Sequence, residues 1–470
     1  MKKWDLSAAG QLGLCEEGLQ AAWTPLDNAI EQGIIPGGVA LIGRRGHVAA
    51  YAAGHAFLSE DRSIPASVET IYDCASLTKV AVTLALMLIL MDRGQVRLAD
   101  PVAQHIPAFG TAGKAEVTIG QLLAHTSGLP AHRDLYSHGW TPQRIHDAIC
   151  AMEPDYPPGT RCVYSCPGYM ILGGIIRQHF GRPLEEAAWI EVLQPLGMTA
   201  SRYNPPPEWK PRIAATEYDA ALGEYRWGFV HDENAYALGG AAGNAGLFST
   251  ASDLLRYARM WLALAGSASS ADSAANASLS RSRTEDGPEA FILSREAVKE
   301  ALRSHTLDIP GANRGLGWVL HGDPADVGGE GVSPFSFGHT GFTGTSLWID
   351  PAQDLILILL TNRVHYDRGN SIAALRRQFH EAAVAAIQNS YLYENLGKYI
   401  QTMRSTSRTW RVHQILGKRI RRDAGQGFFC WRPGFAEMIE QLGLDTQRAH
   451  LLRQLTYWRI ASAHQKVAVQ

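Results

Sequence analysis

Ser76 and Lys79 stand three positions apart in the sequence, and residues of these types at this spacing could act together in catalysis. On a helix, a spacing of three positions places both side chains on one face. A serine hydroxyl becomes an effective nucleophile when a base takes its proton, and a lysine is such a base when burial or nearby cations destabilise its ammonium form. The pair therefore predicts acyl transfer to a serine, with the helix dipole and free backbone N–H groups favouring the developing oxyanion.

The segment after this pair is strongly apolar and predicts the burial that the lysine needs. Between Lys79 and Asp92 it reads VAVTLALMLILM, 12 residues, whereas a helix that crosses a bilayer needs roughly 20. A helix that is apolar all round and charged at both ends is instead typical of a helix buried on every side in a large domain. We expect a core helix over residues 76–93 and no membrane span.

Two later segments supply partners for a serine and a lysine. YSCPGY begins at Tyr164, and FGHTGF begins at Phe337. An S-x-x-K spacing alone occurs by chance in many proteins of this size. Followed in order by a Tyr-Ser turn and a His-Thr-Gly strand, it matches the serine-lysine acyl-transfer enzymes. The order of the three motifs therefore favours a catalytic role for Ser76 and Lys79.

With these motifs the chain resembles the serine β-lactamase and penicillin-binding-protein superfamily, in the branch of class C β-lactamases, D-alanyl-D-alanine carboxypeptidases and family VIII esterases. The resemblance covers about residues 25–390, because further segments similar to that branch occur in the right order. It implies an α+β protein with a β-lactamase/transpeptidase-like fold, in which an antiparallel sheet is flanked by helices and joined to a mainly helical lobe. The further segments are TIGQLLAHTSGLP (118–130), HDENAYALGGAAGNAGLFSTASDL (231–254), GLGWVL (315–320) and GHTGFTGTSLWIDP (338–351).

The resemblance also implies roles for individual residues. Ser76 would be the acylated nucleophile and Lys79 its general base. Tyr164 would relay protons to the leaving group and to the deacylating water. This chemistry uses no metal ion and no organic cofactor, so we expect neither.

The resemblance further implies that four consecutive residues, 339–342, face the substrate. His339, which we count with the catalytic residues, would line a strand together with Thr340 and Gly341, and the acyl group would lie against that strand. The backbone N–H of Phe342 would join that of Ser76 in an oxyanion hole, where one donor is worth roughly 3 kcal/mol.

Two residues depart from the family's pattern. Cys166, which we expect in the substrate site, stands where the family commonly has an asparagine whose amide contacts substrate and lysine, and a thiol is only a weak donor. His339 stands where class C β-lactamases carry a lysine, which weakens binding of a substrate carboxylate at neutral pH. Both departures point away from a dedicated antibiotic-destroying enzyme.

Strand and helix patterns predict how these residues are positioned. Two strand pairs lie far apart, over residues 37–56 and 345–363, and each is broken by a turn. Distant strand pairs with helices between them predict one antiparallel sheet in the α+β manner. The predicted helices cover residues 76–93, 168–180, 184–194 and 249–266, the last opening with Ser249 and Asp253 as caps.

The charge distribution divides the chain into a hydrolase domain, residues 1–395, and a basic extension, residues 396–470. From residue 401 onward there are 12 Lys/Arg against 4 Asp/Glu, a charge of +8, while the first 400 residues hold 31 against 41, a charge of −10. The extension is predicted to be a helical appendage docked to the acidic body, with binding to nucleic acid or an anionic partner as the alternative. Residues 266–290 are rich in Ser and Ala and predict a flexible insertion.

Composition and cysteine usage favour a soluble enzyme of the cytoplasm. The net charge of −2 gives no general attraction to nucleic acid or anionic membranes, so neither is expected as a partner. Acidic residues interrupt the apolar stretch that an N-terminal export signal would need. Six scattered cysteines predict reduced, unbridged thiols.

The sequence thus predicts a serine hydrolase that forms an acyl-enzyme on Ser76 and hydrolyses a short-chain ester or a cell-wall-derived peptide. A catalytically impaired binding or regulatory protein on the same fold is the alternative, suggested by Cys166 and the basic extension, and a weak β-lactamase is a further one. We interpret His231 and Asp232 as residues of loop hydrogen bonding, and the glycines of GGAAGNAG (239–246) as turn and packing residues.

Overall fold

The computed structural model of the protein describes residues 8–266 and 291–387. Every residue predicted for the site lies inside these ranges. The predicted flexible insertion lies outside the described residues except for Gly266, and the predicted basic extension lies outside them entirely.

The strands of the described residues form one large antiparallel sheet and two small ones. They are β1 (Gly37–Arg44), β2 (His47–Leu58), β3 (Ser63–Pro65), β4 (Tyr72–Asp73), β5 (Tyr218–Asp219), β6 (Glu224–Tyr225), β7 (Phe248–Ser249), β8 (Val319–Leu320), β9 (Phe337–Thr340), β10 (Thr345–Asp350) and β11 (Leu355–Thr361). The large sheet has the order β3-β2-β1-β11-β10-β9-β8, and the small ones pair β4 with β7 and β5 with β6. Because β1 pairs with β11, the two hairpins predicted at opposite ends of the fold lie side by side. The predicted antiparallel α+β sheet is confirmed.

The helices of the described residues come mostly between the two hairpins. They are α1 (Ala9–Leu12), α2 (Glu16–Glu31), α3 (Ala85–Asp92), α4 (Val102–His105), α5 (Ile119–Leu123), α6 (Pro142–Ala151), α7 (Cys166–Phe180), α8 (Leu184–Ala188), α9 (Glu233–Ala237), α10 (Ala251–Gly266), α11 (Arg295–Ala301) and α12 (Ala373–Ala385). π-Helical turns precede α3 (Lys79–Leu84) and follow α8 (Trp189–Leu193), and short 3₁₀ turns cover Pro107–Gly110, Pro207–Arg212 and Arg363–His365.

Both faces of the large sheet are covered by helices, which explains why β11 reads LILILLT without polar alternation. On one face, Leu357 and Leu359 pack with apolar residues of α2 and α12. On the other face, Ile356 and Ile358 pack with α3, α7 and α10. The second face therefore adjoins the two helices that follow the serine-lysine and tyrosine motifs.

The apolar helix after Ser76 is buried along its length, as predicted. Every side chain from Lys79 to Leu90 is at most 5% exposed. The helix begins with the π-helical turns and becomes a regular α-helix at Ala85, a distortion that is frequent at functional sites. Within the two described ranges, no helix combines the length and the apolar character that crossing a membrane requires.

The last helix predicted between the hairpins starts two residues later than expected. It begins at Ala251, and Ser249 lies in strand β7 instead. The hydroxyl of Thr250 accepts the N–H of Asp253 at 3.2 Å. Thr250 is therefore the N-cap, and the prediction that Ser249 and Asp253 cap the helix is wrong.

Candidate active site

The residue before Ser76 has a strained backbone that a buried carboxylate holds in place. Ala75 has a φ of 44°, in the left-handed region that favours glycine. Its N–H donates to Asp73 Oδ1 at 2.8 Å, and the N–H of His231 donates to Asp73 Oδ2 at 2.7 Å. Burial raises the pKa of Asp73, and the two N–H donors act against that rise. Asp73 thus fixes the turn that presents Ser76.

Lys79 is fully buried next to Ser76 and has three polar neighbours. Its Nζ donates to Ser76 Oγ at 3.0 Å and to the backbone oxygen of Asn244 at 2.9 Å, and it lies 3.6 Å from Cys166 Sγ. The three contacts place the serine, the lysine and the thiol of the tyrosine motif in one cluster. A buried amine in contact with a serine hydroxyl can take the hydroxyl proton once the amine is neutral.

The pKa of Lys79 differs from the sequence-based expectation. Burial lowers it, but attraction by the ionised forms of Cys166 and Tyr164 outweighs burial, and the pKa is raised from its ordinary value. Burial in turn raises the pKa of both Tyr164 and Cys166, so both groups hold their protons at neutral pH. The neutral form of Lys79 therefore depends on both partners staying protonated, and the expectation that burial makes Lys79 a base remains a prediction.

Tyr164 lies beside Lys79 just before helix α7. The Lys79 Nζ is 4.8 Å from the centre of the Tyr164 ring, within cation–π range. The helix begins at Cys166, two residues earlier than predicted, because the hydroxyl of Ser165 accepts the N–H of Gly168 and caps it. Within the described residues the buried Tyr164 hydroxyl makes no hydrogen bond. It is therefore available to pass a proton between Lys79 and a substrate.

Two buried histidines flank Tyr164, and both are neutral at pH 7. The ring centres of His125 and His339 lie 4.6 Å and 5.8 Å from that of Tyr164. Burial, and then repulsion by nearby positive charges, holds the pKa of both well below the usual range. His339 is 3% exposed, and its Nδ1 lies 2.8 Å from the Thr340 oxygen. It presents no positive charge to a substrate carboxylate.

The turn after strand β9 is fastened to the turn that carries Ser76. The hydroxyl of Thr343 donates to the Asp73 oxygen at 2.7 Å, and that of Thr345 donates to the Cys74 oxygen at 3.0 Å. Each bond joins residues about 270 positions apart in the sequence. The predicted substrate strand and the predicted nucleophile therefore lie next to each other.

An arginine on helix α12 supports the same turn from the other side. Arg376 Nη2 donates to the backbone oxygens of Gly341 and Thr345, both at 2.9 Å. Burial, together with repulsion by Arg363, lowers the pKa of Arg376 to about 9. Gly341 is buried and Thr340 partly exposed, so Gly341 faces the protein interior and Thr340 is partly accessible.

Phe342 lies at the rim of this cluster. Its side chain is 47% exposed, and its ring centre lies 5.8 Å from that of His231. Among the described residues, the backbone N–H groups of Ser76 and Phe342 donate to no acceptor. Both groups are therefore available to a developing oxyanion, which is the role that the resemblance implies for them.

The glycine-rich loop, residues 239–246, packs against the apolar helix and serves the predicted turn and packing roles. Thr83 donates to the Gly243 oxygen at 2.7 Å. A side chain at Gly243 would overlap the backbone oxygen of Tyr169, and Gly246 has a φ of 119°. The close packing brings the Asn244 carbonyl to Lys79.

The neighbouring pair His231 and Asp232 makes structural contacts, as interpreted from the sequence. Asp232 Oδ1 accepts the N–H of Ala235 at 2.7 Å and caps helix α9. His231 Nε2 lies 3.2 Å from Glu217 Oε1. In the part of the chain that the structure describes, no group of His, Cys, Asp and Glu side chains could hold a metal ion.

Four residues of this cluster were missed by the sequence analysis. Asp73 and Asn244 act on backbone N–H or amine protons, Arg376 acts on backbone carbonyls, and His125 packs on Tyr164. Such contacts leave no characteristic residue spacing in the sequence, because any polar residue near the right atom could make them. His125 and Asn244 lie inside the segments that carry the resemblance, so the segments were recognised but these two residues were not.

A large cleft lies elsewhere on the described part of the molecule. It has a volume of about 800 Å³ and is lined by residues of α6 and α7, among them His146, Gly174 and Arg177. It contains none of the residues predicted for the site. The chemistry of the Ser76 cluster, and not the size of this cleft, identifies the candidate active site.

Comparison with known sequences gives a family and close relatives. The family described as Beta-lactamase matches residues 24–381. A protein of Escherichia coli (strain K12) named "Putative D-alanyl-D-alanine carboxypeptidase" is 31% identical over 338 residues, which cover 65% of this chain and 72% of that protein. A protein of the same name from Salmonella typhi is 30% identical over 333 residues, which cover 64% and 71%.

Comparison with solved structures gives the same fold. A penicillin-binding protein homologue from Caulobacter crescentus has a TM-score of 0.59 and 22% identity, with 80% of this chain and 99% of that chain covered. A class C β-lactamase from Rhodobacter sphaeroides has a TM-score of 0.58 and 21% identity, with 78% and 99% covered. At these identities the likeness establishes the β-lactamase/transpeptidase-like fold.

Proposed function

The chain belongs to the β-lactamase family, and from this premise we propose that it is a serine hydrolase that forms an acyl-enzyme on Ser76. The observation that carries the proposal is the 3.0 Å hydrogen bond between Lys79 Nζ and Ser76 Oγ, made by a lysine that is fully buried. Burying a lysine is costly unless the amine is used or well paired, and its neighbours here are a hydroxyl, a carbonyl and a thiol rather than a carboxylate.

Acylation follows from these contacts. Neutral Lys79 accepts the proton of Ser76 while Oγ attacks the substrate carbonyl carbon, and the carbonyl electrons move to its oxygen. The backbone N–H groups of Ser76 and Phe342 donate to that oxyanion. Tyr164 then passes a proton to the leaving alcohol or amine as the acyl bond breaks. An ester of Ser76 remains, and the first product departs.

Deacylation uses the same groups in reverse order. Water gives a proton to the Tyr164 and Lys79 pair and attacks the acyl carbon, and the Ser76 oxygen leaves and recovers its proton. The cycle requires Tyr164 and Cys166 to remain protonated, because an ionised neighbour would hold Lys79 as an ammonium. The proposed working range is therefore neutral pH, where both neighbours are neutral.

The substrates that we propose are a short-chain ester or a cell-wall-derived peptide. The curated relatives are named as D-alanyl-D-alanine carboxypeptidases, which supports the peptide. The neutral, buried His339 and the weak donor Cys166 support an ester, because neither supplies a strong contact to a carboxylate or an acyl amide.

Replacement of Ser76 tests the proposal directly. We expect the wild type to hydrolyse p-nitrophenyl acetate and to gain one fluorophosphonate adduct by mass spectrometry, and Ser76→Ala to lose both. The exposed Ser371 offers a matched control, because Ser371→Ala removes a hydroxyl outside the cluster. Equal labelling of wild type and Ser76→Ala would show that the nucleophile is assigned wrongly.

The two alternative functions give different results in the same assays. A binding or regulatory protein would leave Ser76 unmodified after long incubation with varied acyl donors. A β-lactamase would hydrolyse nitrocefin at a rate comparable with its ester turnover. We rank both below the esterase or peptidase activity. Lys79 is hydrogen-bonded to Ser76, as catalysis requires, and the neutral His339 offers only a weak contact to a β-lactam carboxylate.

Cytoplasmic location and the domain boundary near residue 395 stay part of the proposal. The five described cysteines are unbridged, which supports a reducing compartment. Cell fractionation with an antibody against the native chain tests the location.

The expectation that the basic extension binds no nucleic acid is tested by gel shift with mixed-sequence DNA and RNA at physiological salt.

A further inference from the structure

The peptide group between Gly341 and Phe342 carries the Phe342 N–H of the proposed oxyanion hole at one end and a hydrogen-bonded carbonyl at the other. The Gly341 oxygen accepts from Arg376 Nη2 at 2.9 Å and from the N–H of Gly344 at 3.2 Å. Because a trans peptide group is planar, its N–H and its C=O point in opposite directions. A donor that fixes the Gly341 oxygen therefore also fixes the direction of the Phe342 N–H.

Arg376 reaches this carbonyl from helix α12 and bridges the two ends of the turn after β9. Its Nη2 group carries two hydrogens, and it donates to the Gly341 oxygen and to the Thr345 oxygen, both at 2.9 Å. The N–H of Gly341 donates to the same Thr345 oxygen at 2.8 Å. The guanidinium is a planar fork whose donors have fixed directions, so it holds both carbonyls in one orientation.

The peptide group lies between helix α12 and the turn that carries Ser76. A Cβ built on Gly341 would overlap the Cys74 oxygen, and the hydroxyl of Thr345 donates to that same oxygen at 3.0 Å. Because the Gly341 oxygen is bonded from the side of α12, the N–H of Phe342 is directed to the other side, where Ser76 lies.

A second arginine holds the next peptide group of Phe342. Arg363 Nε donates to the Phe342 oxygen at 2.7 Å, and the guanidinium carbon lies 4.5 Å from the centre of the Phe342 ring. Arg363 is itself anchored, because its Nη1 donates to the backbone oxygens of Arg368 and Asn370. Arg363 and Arg376, each 9% exposed, thus hold the peptide groups on both sides of Phe342.

Keeping these two arginines buried near each other costs folding free energy. Burial and repulsion by Arg363 lower the pKa of Arg376, and burial and repulsion by Arg368 lower that of Arg363. Within the described residues, the buried Nε of Arg376 makes no hydrogen bond. Buried charges and unpaired buried donors are poor contributors to stability. The two arginines therefore call for a role besides stability.

We propose that Arg376, together with Arg363, is a positioning residue of the oxyanion hole, which directs the Phe342 N–H at the substrate oxygen through the carbonyls on either side of it. This inference deepens the proposed function and rests on it. The positive charges also polarise the peptide groups that they bind, which makes the Phe342 N–H a stronger donor to an oxyanion. Both arginines act through the backbone of Phe342 and not on the substrate.

Arg376→Met removes both hydrogen bonds and keeps a long side chain that can be buried. We expect kcat for p-nitrophenyl acetate to fall by about tenfold or more with KM unchanged, because an oxyanion donor acts in the transition state and not on bound substrate. Arg376→Lys keeps a charged donor beside the two carbonyls and should retain more of kcat than Arg376→Met. An unchanged kcat in Arg376→Met would overturn the proposal.

Arg44→Met is the matched control for truncating a buried arginine that donates to carbonyls. Arg44 is 2% exposed, and it donates to the Gln353 oxygen at 3.0 Å and to the Leu12 oxygen at 2.7 Å, outside the Ser76 cluster. Its replacement should lower the melting temperature and leave kcat of the folded protein unchanged. Equal losses of kcat in Arg44→Met and Arg376→Met would make Arg376 a structural residue and the proposal wrong.

Binding of a transition-state analogue tests the oxyanion hole itself. Phenylboronic acid adds to a nucleophilic serine and forms a tetrahedral adduct, in which a boron-bound oxygen occupies the place of the oxyanion. We expect its inhibition constant to rise in Arg376→Met by about the factor by which kcat falls. A lower kcat with an unchanged inhibition constant would place the defect outside the oxyanion hole and overturn the inference.

Hydrogen exchange distinguishes failure of this inference from failure of the proposed function, because it requires no turnover. The N–H groups of Gly341 and Gly344 donate within the turn, and we expect Arg376→Met, but not Arg44→Met, to speed their exchange by about tenfold or more. Faster exchange in a protein whose Ser76 is inert would retain the hold of Arg376 on the turn and refute the hydrolase. Unchanged exchange in an active enzyme would refute the positioning role alone.

Discussion

Lys79, Tyr164 and Cys166 share one buried cluster, and the protons that they hold decide whether Lys79 is a base. Each of the three is disfavoured in its charged form by burial, and each charged form is favoured by an opposite charge on a neighbour. The all-neutral arrangement and the ion-paired arrangement therefore differ by one proton transfer within the cluster. The Asn244 carbonyl holds the Lys79 amine in this cluster, and the turn at Ala75 presents Ser76 to that amine.

Gly341 is a residue where a single methyl group should disturb this geometry. A Cβ at this position would overlap the Cys74 oxygen and the Thr345 hydroxyl. We expect Gly341→Ala to cost about 2 kcal/mol of unfolding free energy, as overpacking of a closed site does, and to lower kcat more than KM rises. Urea denaturation and ester hydrolysis measure the two effects.

Gly10 provides the control for that substitution. Nothing lies within 4 Å of a Cβ built on it, and it is exposed in the short helix α1. Gly10→Ala should leave the unfolding free energy equal or slightly higher. If Gly341→Ala were as stable and active as Gly10→Ala, the turn after β9 would not set the position of Ser76.

The elements around the site are joined by side chains that bond to backbone atoms. Thr343 of the turn after β9 and Thr345 at the start of β10 bond to the turn of Ser76. Thr83 of the π-helical segment bonds to the glycine-rich loop, and Arg376 of α12 bonds to the turn after β9 from the opposite side. The π-helical start of the apolar helix carries both Lys79 and Thr83. Thr83 therefore fastens the helix to the loop whose Asn244 carbonyl accepts from Lys79.

Helix α12 also makes the stability of the protein depend on pH through His380. Burial lowers the pKa of His380 to about 4, and a backbone hydrogen bond to Val327 acts against this. An unfolded histidine titrates near pH 6.5, so between about pH 6.5 and 4 the unfolded chain binds a proton that the folded protein does not. Stability is therefore lost as pH falls through this window, by up to about 3 kcal/mol from this one group.

His380→Gln should remove that contribution. We expect the drop in unfolding free energy between pH 7 and pH 5, measured by urea denaturation, to be smaller in His380→Gln than in the wild type. His132 is exposed, so His132→Gln should keep the wild-type drop. Identical pH dependence in all three proteins would show that His380 is not held neutral by its burial.

At the scale of the whole molecule, the candidate site belongs to the part of the chain that ends with helix α12. The family match ends at residue 381, and the contacts of the Ser76 cluster given above, within the part of the chain that the structure describes, join residues from Asp73 to Arg376. We expect a chain that ends at residue 395 to hydrolyse p-nitrophenyl acetate within about twofold of the full-length rate, because the reacting groups and their supports are all retained.

The full-length protein and its Ser76→Ala variant are the references for this truncation. The same substitution in the shortened chain should abolish turnover, which excludes a contaminating esterase. A shortened chain that folds but loses about tenfold or more in kcat would contradict the boundary near residue 395 and give the basic extension a part in catalysis.

The sequence by itself determined the elements whose signal is local. The S-x-x-K spacing and the apolar run after it predicted the buried helix, and the two strand pairs broken by turns predicted the antiparallel sheet. The order of the motifs predicted which residues would meet. These features were readable because helix periodicity, strand pattern and motif spacing act over a few residues.

Only the tertiary structure decided which groups surround those residues and what protons they hold. Asp73 and Arg376 bond to backbone atoms of the distant residues His231 and Gly341. The Asn244 carbonyl accepts from the Lys79 amine, 165 positions away, and the raised pKa of Lys79 arises from neighbours 85 and 87 positions away. Helix α10 likewise begins two residues later than the sequence predicted, because the hydroxyl of Thr250, and not that of Ser249, accepts a backbone N–H of its first turn. Contacts with backbone groups and the electrostatics of a buried cluster depend on distances in space, which residue order alone does not specify.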